Sequence, residues 1–295
     1  AEGGWKYRWC MTIHDDIIYI GNCRNTVSLY KIGENSRISP LEDETIQFPE
    51  GREFKRVHTL LNTSRGHLIT FFESSDTLCV YNHIQKEYIA VSLPGLVDNS
   101  YRAACIDKED KLYIFTKNYT VFIYQLTYPE GEDVSNDVRF TLCGQFVTGV
   151  FIKDHAACVY PVSNGGRNYT CICIDPQGCI VITLGIRIAV YMPDGSLLQV
   201  LPESQLSSIY VHGSFYKTQE GADVLCLADY ERECISFYSD SYFYLGCYGV
   251  NGVWVPDGSI RKHEKVRRAQ CTFLYKSIFY VLSSEGRDHL FTVRI

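Results

Sequence analysis

The chain has 295 residues, 46% of them hydrophobic, and a formal net charge of −6 at pH 7. That composition supports a large buried core, which a single propeller domain would use in full. No apolar run approaches the ~18–20 residues of a membrane-spanning helix, and no signal-peptide pattern opens the chain. A membrane partner is therefore not expected.

Thirteen cysteines are present. Their number is odd and most lie inside apolar strand-like runs, for example Cys79, Cys105, Cys171, Cys173 and Cys226. This favours small buried thiols in a cytoplasmic protein over a disulfide framework. N-glycosylation sequons at Asn62, Asn118 and Asn168 keep a secreted protein open as the alternative.

Apolar runs with strand character recur along the whole chain. In the first repeat they are WCMTI, DIIYIG, TVSLY and TIQF, separated by short polar connectors, which predicts four antiparallel strands. The third run returns six times, at 26–30, 77–81, 120–124, 187–191, 234–238 and 289–293. Four strands at this spacing are typical of a propeller blade. The recurring tyrosines are predicted to occupy equivalent blade positions: Tyr30, Tyr81, Tyr124, Tyr191 and Tyr238.

We therefore predict an all-β fold, a single six-bladed β-propeller of four-stranded blades spanning residues 1–295. The predicted blades cover about 9–48, 56–95, 102–147, 167–202, 209–249 and 268–295. Residues 1–8 are predicted to add the outer strand of the last blade and so close the ring. The alternative is a disordered 1–8 and a three-stranded last blade. The longest interval between repeats is assigned to an inserted hairpin at 148–166, with a seven-bladed ring as the alternative.

Motifs for catalysis or metal binding are absent from the sequence. Cys171 and Cys173 share one strand face, but no second Cys or His pair follows at zinc-site distance. No Gly-x-Ser-x-Gly, His-Glu-x-x-His or phosphate-loop pattern occurs, and the eight histidines are scattered. The sequence thus predicts that this chain alone is not an enzyme, with no cofactor, no metal and no small-molecule substrate.

Basic residues recur at matching places, either just before a first strand or in the connector between second and third strands. Both kinds of loop emerge on the same face of a four-stranded blade. The candidate partner-binding residues are Arg8, Arg24, Arg56, Arg102, Lys117, Arg187, Arg232, Lys265, Arg267, Arg268 and Arg287. Acidic clusters lie in the other loops, so a net negative chain can carry a positive face.

Two interpretations of these basic residues stay open. In the first, they bind single-stranded RNA or an acidic, extended protein segment, and Trp9, Tyr101 and Tyr119 are candidates for stacking on bases. In the second, each arginine pairs with a carboxylate of the next blade as a clasp. Under that interpretation the chain is a scaffold for protein–protein interaction, similar in role to WD40 propellers.

The fourth and fifth repeats also resemble a known family. Residues 174–201, IDPQGCIVITLGIRIAVYMPDGSLLQVL, are similar to an NHL repeat, and 212–249 follow the same register with Ala228 and Asp229 at its Ala-Asp. The chain departs from that pattern at Cys234, Thr26, Thr77 and Thr120, where the family usually has arginine. NHL propellers form the C-terminal domain of TRIM-type ubiquitin ligases. The resemblance implies a substrate-recognition module of such a ligase, binding RNA or protein.

Overall fold

The structure is a computed structural model. It describes residues 10–22, 25–41, 44–49, 56–72, 75, 77–96, 101–128, 138–149, 170–184, 187–201, 210–230, 232–248, 254–255, 269–283 and 290–294. The chain divides into two compact units, residues 1–118 with 122–145, and residues 119–121 with 146–295.

The first unit contains three antiparallel sheets built from consecutive strands. The strands of sheet 1 are β1 (Cys10–His14), β2 (Ile17–Gly21), β3 (Thr26–Ile32), β4 (Ile38–Pro40) and β5 (Ile46–Gln47), and both β4 and β5 pair with β3. Sheet 2 consists of β6 (Val57–Asn62), β7 (Leu68–Phe72), β8 (Thr77–Asn82) and β9 (Glu87–Ser92). Sheet 3 consists of β10 (Tyr101–Ile106), β11 (Lys111–Thr116), β12 (Thr120–Thr127) and β13 (Arg139–Val147).

The second unit contains three more sheets of the same kind. Sheet 4 consists of β14 (Thr170–Ile174), β15 (Ile180–Leu184), β16 (Arg187–Tyr191) and β17 (Leu197–Val200). Sheet 5 consists of β18 (Tyr210–Lys217), β19 (Asp223–Asp229), β20 (Cys234–Ser239), β21 (Tyr244–Tyr248) and β22 (Trp254–Val255). Sheet 6 has three strands, β23 (Ala269–Tyr275), β24 (Ile278–Ser283) and β25 (Leu290–Arg294).

The number of complete blades differs from the prediction. Five sheets have four or five strands and sheet 6 has three, so the described residues form five complete blades, not six. Among the described residues, sheet 6 consists of β23, β24 and β25 alone and has no fourth strand. The strand predicted in residues 1–8 lies outside the described residues. So does most of the inserted hairpin predicted at 148–166.

The core of each unit lies between the faces of neighbouring sheets. In the first unit, Phe48 of sheet 1 packs with Phe72 of sheet 2, and Phe71 of sheet 2 packs with Tyr101 of sheet 3. In the second unit, Phe237 of sheet 5 packs with Phe279 of sheet 6. Second strands are mostly apolar because both of their faces are buried, as in LITFF of β7 and IVITL of β15.

The recurring tyrosines occupy equivalent positions, which confirms that prediction. Each is the fifth residue of the third strand in its sheet: Tyr30, Tyr81, Tyr124, Tyr191 and Tyr238. Two of their hydroxyl groups bind the backbone. Tyr124 Oη donates to the carbonyl of Pro94 at 2.8 Å, and Tyr191 Oη donates to the carbonyl of Thr148 at 2.8 Å.

Two of the hairpins between first and second strands are capped by an aspartate in the same way. Oδ1 of Asp107 accepts from the amides of Glu109 and Lys111, both at 2.9 Å. Asp175 does the same for Gln177 and Cys179, at 2.9 and 2.6 Å. A short polar side chain at the end of the first strand therefore fixes the turn that follows it.

Four of the five strand cysteines named in the prediction are buried like small apolar residues, and the fifth, Cys105, is half-buried. All eleven described cysteines are thiols, and Cys79, Cys171, Cys173 and Cys226 are buried in the core. Their small size permits a close approach of backbones, because a Cβ added to Gly213 of β18 would lie 3.2 Å from Cys171 Sγ and 3.3 Å from Cys173 Sγ.

Candidate binding surface

The predicted basic residues that the structure describes lie at one type of sheet edge. In the first unit, Arg56 directly precedes β6, Arg102 is the second residue of β10, and Lys117 lies in the turn between β11 and β12. In the second unit, Arg187 begins β16 and Arg232 lies in the turn between β19 and β20. We refer to Arg56, Arg102 and Lys117 as the basic edge.

Contacts between sheets 2 and 3 bring the basic edge together. β6 and β10 lie side by side. The hydroxyl of Tyr101, the first residue of β10, donates to Thr59 Oγ1 and lies 3.1 Å from His58 Nδ1. Because Tyr101 also pairs with Thr116, the residue before Lys117, these contacts place Arg56 and Lys117 at the same edge.

Exposure separates these five basic residues into two groups. Arg56 and Lys117 are exposed, whereas Arg102, Arg187 and Arg232 are half-buried. The Nε and Nη1 atoms of Arg102 and the Nη1 atom of Arg232 are shielded from water. Of these five residues, Arg56 and Lys117 are thus the best placed to contact a partner.

Arg232 is oriented toward its own sheet. Its backbone N–H donates to Asp229 Oδ1 at 3.0 Å, and its Nη2 lies 4.0 Å from Cys247 Sγ. Burial lowers the pKa of Arg232, but the neighbouring Cys234, Tyr244 and Asp229 outweigh it and raise the pKa overall. These contacts lie within sheet 5 and are therefore not the pairing with a carboxylate of the next blade that the clasp interpretation describes.

The remaining predicted residues lie outside the described part of the chain. These are Arg8, Arg24, Lys265, Arg267, Arg268 and Arg287. Of the aromatic residues predicted to stack on bases, Trp9 also lies there. Tyr101 is wrong as a stacking candidate, because only 8% of it is exposed and its ring stacks on Phe71 at 4.7 Å. Tyr119 is half-buried, with a positive φ of 59°.

A cluster of histidines at the opposite edge of sheets 1 and 2 was missed by sequence reasoning. His14 ends β1, His67 precedes β7 and His83 follows β8, and we call these three the histidine cluster. The ring of His83 packs on Tyr19 at 4.9 Å and on Tyr81 at 5.1 Å between centroids. The spacing of the three residues along the chain does not predict that they lie close together, because their proximity depends on how the two sheets pack.

Burial lowers the pKa of two members of the histidine cluster. His67 is 5% exposed, and neither of its ring nitrogens has a hydrogen-bond partner among the described residues. Burial and Arg65 lower its pKa, and Asp110 opposes them. Burial, His14 and His67 lower the pKa of His83 to about 4. Within the described residues, no group of three His, Cys, Asp or Glu side chains is placed to hold a metal ion.

No helix among the described residues is long and apolar enough to cross a membrane.

The chain matches no protein-family model and no curated protein. The resemblance to NHL repeats therefore rests on residues 174–201 and 212–249 alone. A relationship to TRIM-type ligases has no further support.

Solved structures with a similar fold do exist. A catalytically inactive virginiamycin B lyase from Staphylococcus aureus has a TM-score of 0.56 and 11% identity, over 100% of this chain and 86% of the other. An auxiliary nutrient-binding protein from Bacteroides thetaiotaomicron has a TM-score of 0.60 and 11% identity, over 95% and 67%. A protein of unknown function from Bacteroides caccae has a TM-score of 0.54 and 11% identity, over 99% and 88%.

These similarities correct one prediction. The sequence predicted that this chain alone is not an enzyme, on the grounds that recognisable catalytic motifs are missing. Virginiamycin B lyase is an enzyme with the same fold at 11% identity, so the missing motifs do not exclude catalysis. At this level of identity the likeness establishes the fold alone. The chain is an all-β protein with the β-propeller fold and four-stranded blades.

Proposed function

We propose that this chain is a recognition module that binds a negatively charged partner at the basic edge, with single-stranded RNA as the first choice. One observation carries the proposal: Arg56 and Lys117 are both exposed and lie at the same edge of neighbouring sheets. A pair of exposed cations on a rigid scaffold can contact successive phosphates of an extended strand. Binding proteins among the structural neighbours are consistent with a recognition role.

A salt-titrated binding assay with random single-stranded RNA tests the proposal. Each phosphate contact on a single strand contributes about −0.7 to the slope of log K against log salt. Arg56→Glu/Lys117→Glu should therefore weaken binding and make the slope shallower by about 1.4.

The matched control is Lys86→Glu/Lys108→Glu. These two lysines are exposed in the turns at the opposite edge of the same sheets, and the control makes the same change in net charge. Equal binding by wild type and both variants, with no dependence on salt, would discard RNA as the partner.

An acidic or extended protein segment is the competing class of partner. A protein interface depends more on apolar burial, so its affinity would change little with salt while still responding to Arg56→Glu/Lys117→Glu. Substrate recognition for a ubiquitin ligase, which the NHL resemblance implies, stays a prediction within this class. Co-purification of the chain with a ubiquitin-conjugating complex, lost on the same double substitution, is the result it requires.

A further inference from the structure

Two thiols lie close together on one face of sheet 5. Cys247 of β21 pairs directly with Ser236 of β20. Cys234 is two residues before Ser236, so its side chain is on the same face, and its Sγ lies 3.8 Å from Ser236 Oγ. Cys234 and Cys247 are thus diagonal neighbours across two strands, and their side chains hydrogen-bond to each other.

A cation lies next to one of these thiols. Nη2 of Arg232 is 4.0 Å from Cys247 Sγ, and Asp229 pairs directly with Cys234 on the other neighbouring strand. A guanidinium beside a cysteine stabilises the thiolate over the thiol. The turn that carries Arg232 comes directly before Cys234, the first residue of β20, so the pair lies at the end of the sheet.

This environment gives Cys247 a different acidity from the other core cysteines. The hydrogen bond from Cys234, with help from Tyr244 and Arg232, lowers the pKa of Cys247 to about 7, although burial and Asp229 oppose the change. The same hydrogen bond and burial raise the pKa of Cys234. By contrast, burial raises the pKa of Cys79, Cys171 and Cys226 to about 12. Cys247 is therefore the more acidic thiol of the pair.

We propose that Cys247 and Cys234 are a redox-active pair that hydrogen peroxide converts into a disulfide. In the first step, the Cys247 thiolate attacks one peroxide oxygen; an S–O bond forms, the O–O bond breaks and hydroxide leaves. In the second step, Cys234 loses its proton and attacks the sulfur of Cys247; the S–S bond forms, the S–O bond breaks and water leaves. The two thiols are oxidised by two electrons in total, and peroxide is reduced to water.

Hydrogen peroxide is the reagent that tests this proposal, and the burial of both cysteines affects how it reaches them. Both cysteines are 0% exposed, so peroxide reaches them only when the end of sheet 5 opens locally. The full chain is treated with hydrogen peroxide, remaining thiols are blocked under denaturing conditions, and peptides are mapped without reduction. The expected product is a Cys234–Cys247 linked peptide that dithiothreitol reverses. Its rate of formation should rise with pH through about 7.

Two variants separate the steps. Cys234→Ser should stop the reaction at a Cys247 sulfenic acid, which dimedone traps when it is added together with the denaturant. Arg232→Gln should slow oxidation of Cys247 by about threefold or more, because the thiolate loses its neighbouring cation. Circular dichroism checks that each variant is folded, and the pH profile of the wild type tests the same point if Arg232→Gln does not fold.

Cys143 provides the internal control, because it is the exposed cysteine among those described. An unmodified Cys247 at a peroxide dose that oxidises Cys143 would overturn the proposal. Oxidation of Cys247 to the sulfinic acid with Cys234 still reduced would overturn it as well.

Discussion

Tyr124 and Tyr191 each hold a sheet to the segment that leads into it. The carbonyl of Pro94 follows β9 and precedes β10, and the carbonyl of Thr148 follows β13 and precedes β14. Both hydroxyl groups donate to these carbonyls from the same strand position. At these two positions tyrosine, rather than phenylalanine, satisfies a backbone acceptor where the chain passes between sheets. The hydroxyl of Tyr238 instead lies 2.6 Å from that of Tyr210.

Tyr191→Phe should destabilise the protein by about 1–2 kcal/mol, because it leaves a buried carbonyl without its donor and changes nothing else in the ring. Thr148 is 3% exposed, so water cannot easily replace the hydroxyl. The measurement is the free energy of unfolding in urea. Tyr88→Phe is the control, since Tyr88 is exposed, and it should have almost no effect. An equal loss in both variants would contradict the explanation.

At the scale of the strand, close packing between neighbouring sheets determines which residue fits at a given position. β18 pairs with β19 and also lies against β14 of the preceding sheet. Gly213 sits at this contact, where an added Cβ would lie 2.7 Å from Leu227 Cδ2. Glycine is required here by space, since its φ is not in the left-handed region.

Gly213→Val should therefore destabilise the second unit by about 1–3 kcal/mol through overpacking. Thermal unfolding followed by circular dichroism measures the effect. Gly144→Val is the matched control in β13, because the nearest atom to its added Cβ is Ile123 Cδ1 at 3.9 Å. If Gly144→Val lowers the unfolding temperature as much as Gly213→Val, backbone conformation rather than packing is responsible.

The sequence predicted what depends on local patterns. Strand runs, the tyrosine position and the placement of Arg56, Arg102 and Lys117 at one edge all follow from the order of apolar runs and connectors. It did not predict features set by packing between sheets. Tyr101 is buried because β10 begins two residues earlier than its apolar run suggests, and Arg232 contacts Cys247 across two strands. The histidine cluster was not predicted for the same reason, because it forms where sheets 1 and 2 pack together.

At the scale of the whole molecule, three buried or half-buried histidines make the stability of the fold depend on mildly acidic pH. Burial lowers the pKa of His212 to about 4, as it does for His83, and His67 is shifted in the same direction. An unfolded histidine has a pKa of about 6.5. The unfolded chain therefore binds more protons than the folded chain between these values, and stability falls as the pH falls from about 6.5 toward 4.

Urea midpoints measured at pH 7.5, 6 and 5 should decrease in that order. His83→Gln should make the decrease shallower, because one histidine with a shifted pKa is removed, although the variant loses ring contacts with Tyr19 and Tyr81. The comparison is therefore between slopes and not between absolute midpoints. A slope that is identical in wild type and variant would show that carboxyl groups, rather than His83, are responsible for the acid sensitivity.

Each sheet is built from strands that follow one another directly in the chain. A chain that emerges from the ribosome can therefore pair all strands of one sheet before the next sheet is synthesised. The apolar faces that pack between sheets stay in water until the neighbouring sheet arrives, and an incomplete sheet also carries an unpaired edge. A translational pause after a finished sheet should thus be safer for folding than a pause within one. Codon usage around the segments that join sheets, such as 93–100, becomes relevant to how well this protein is produced.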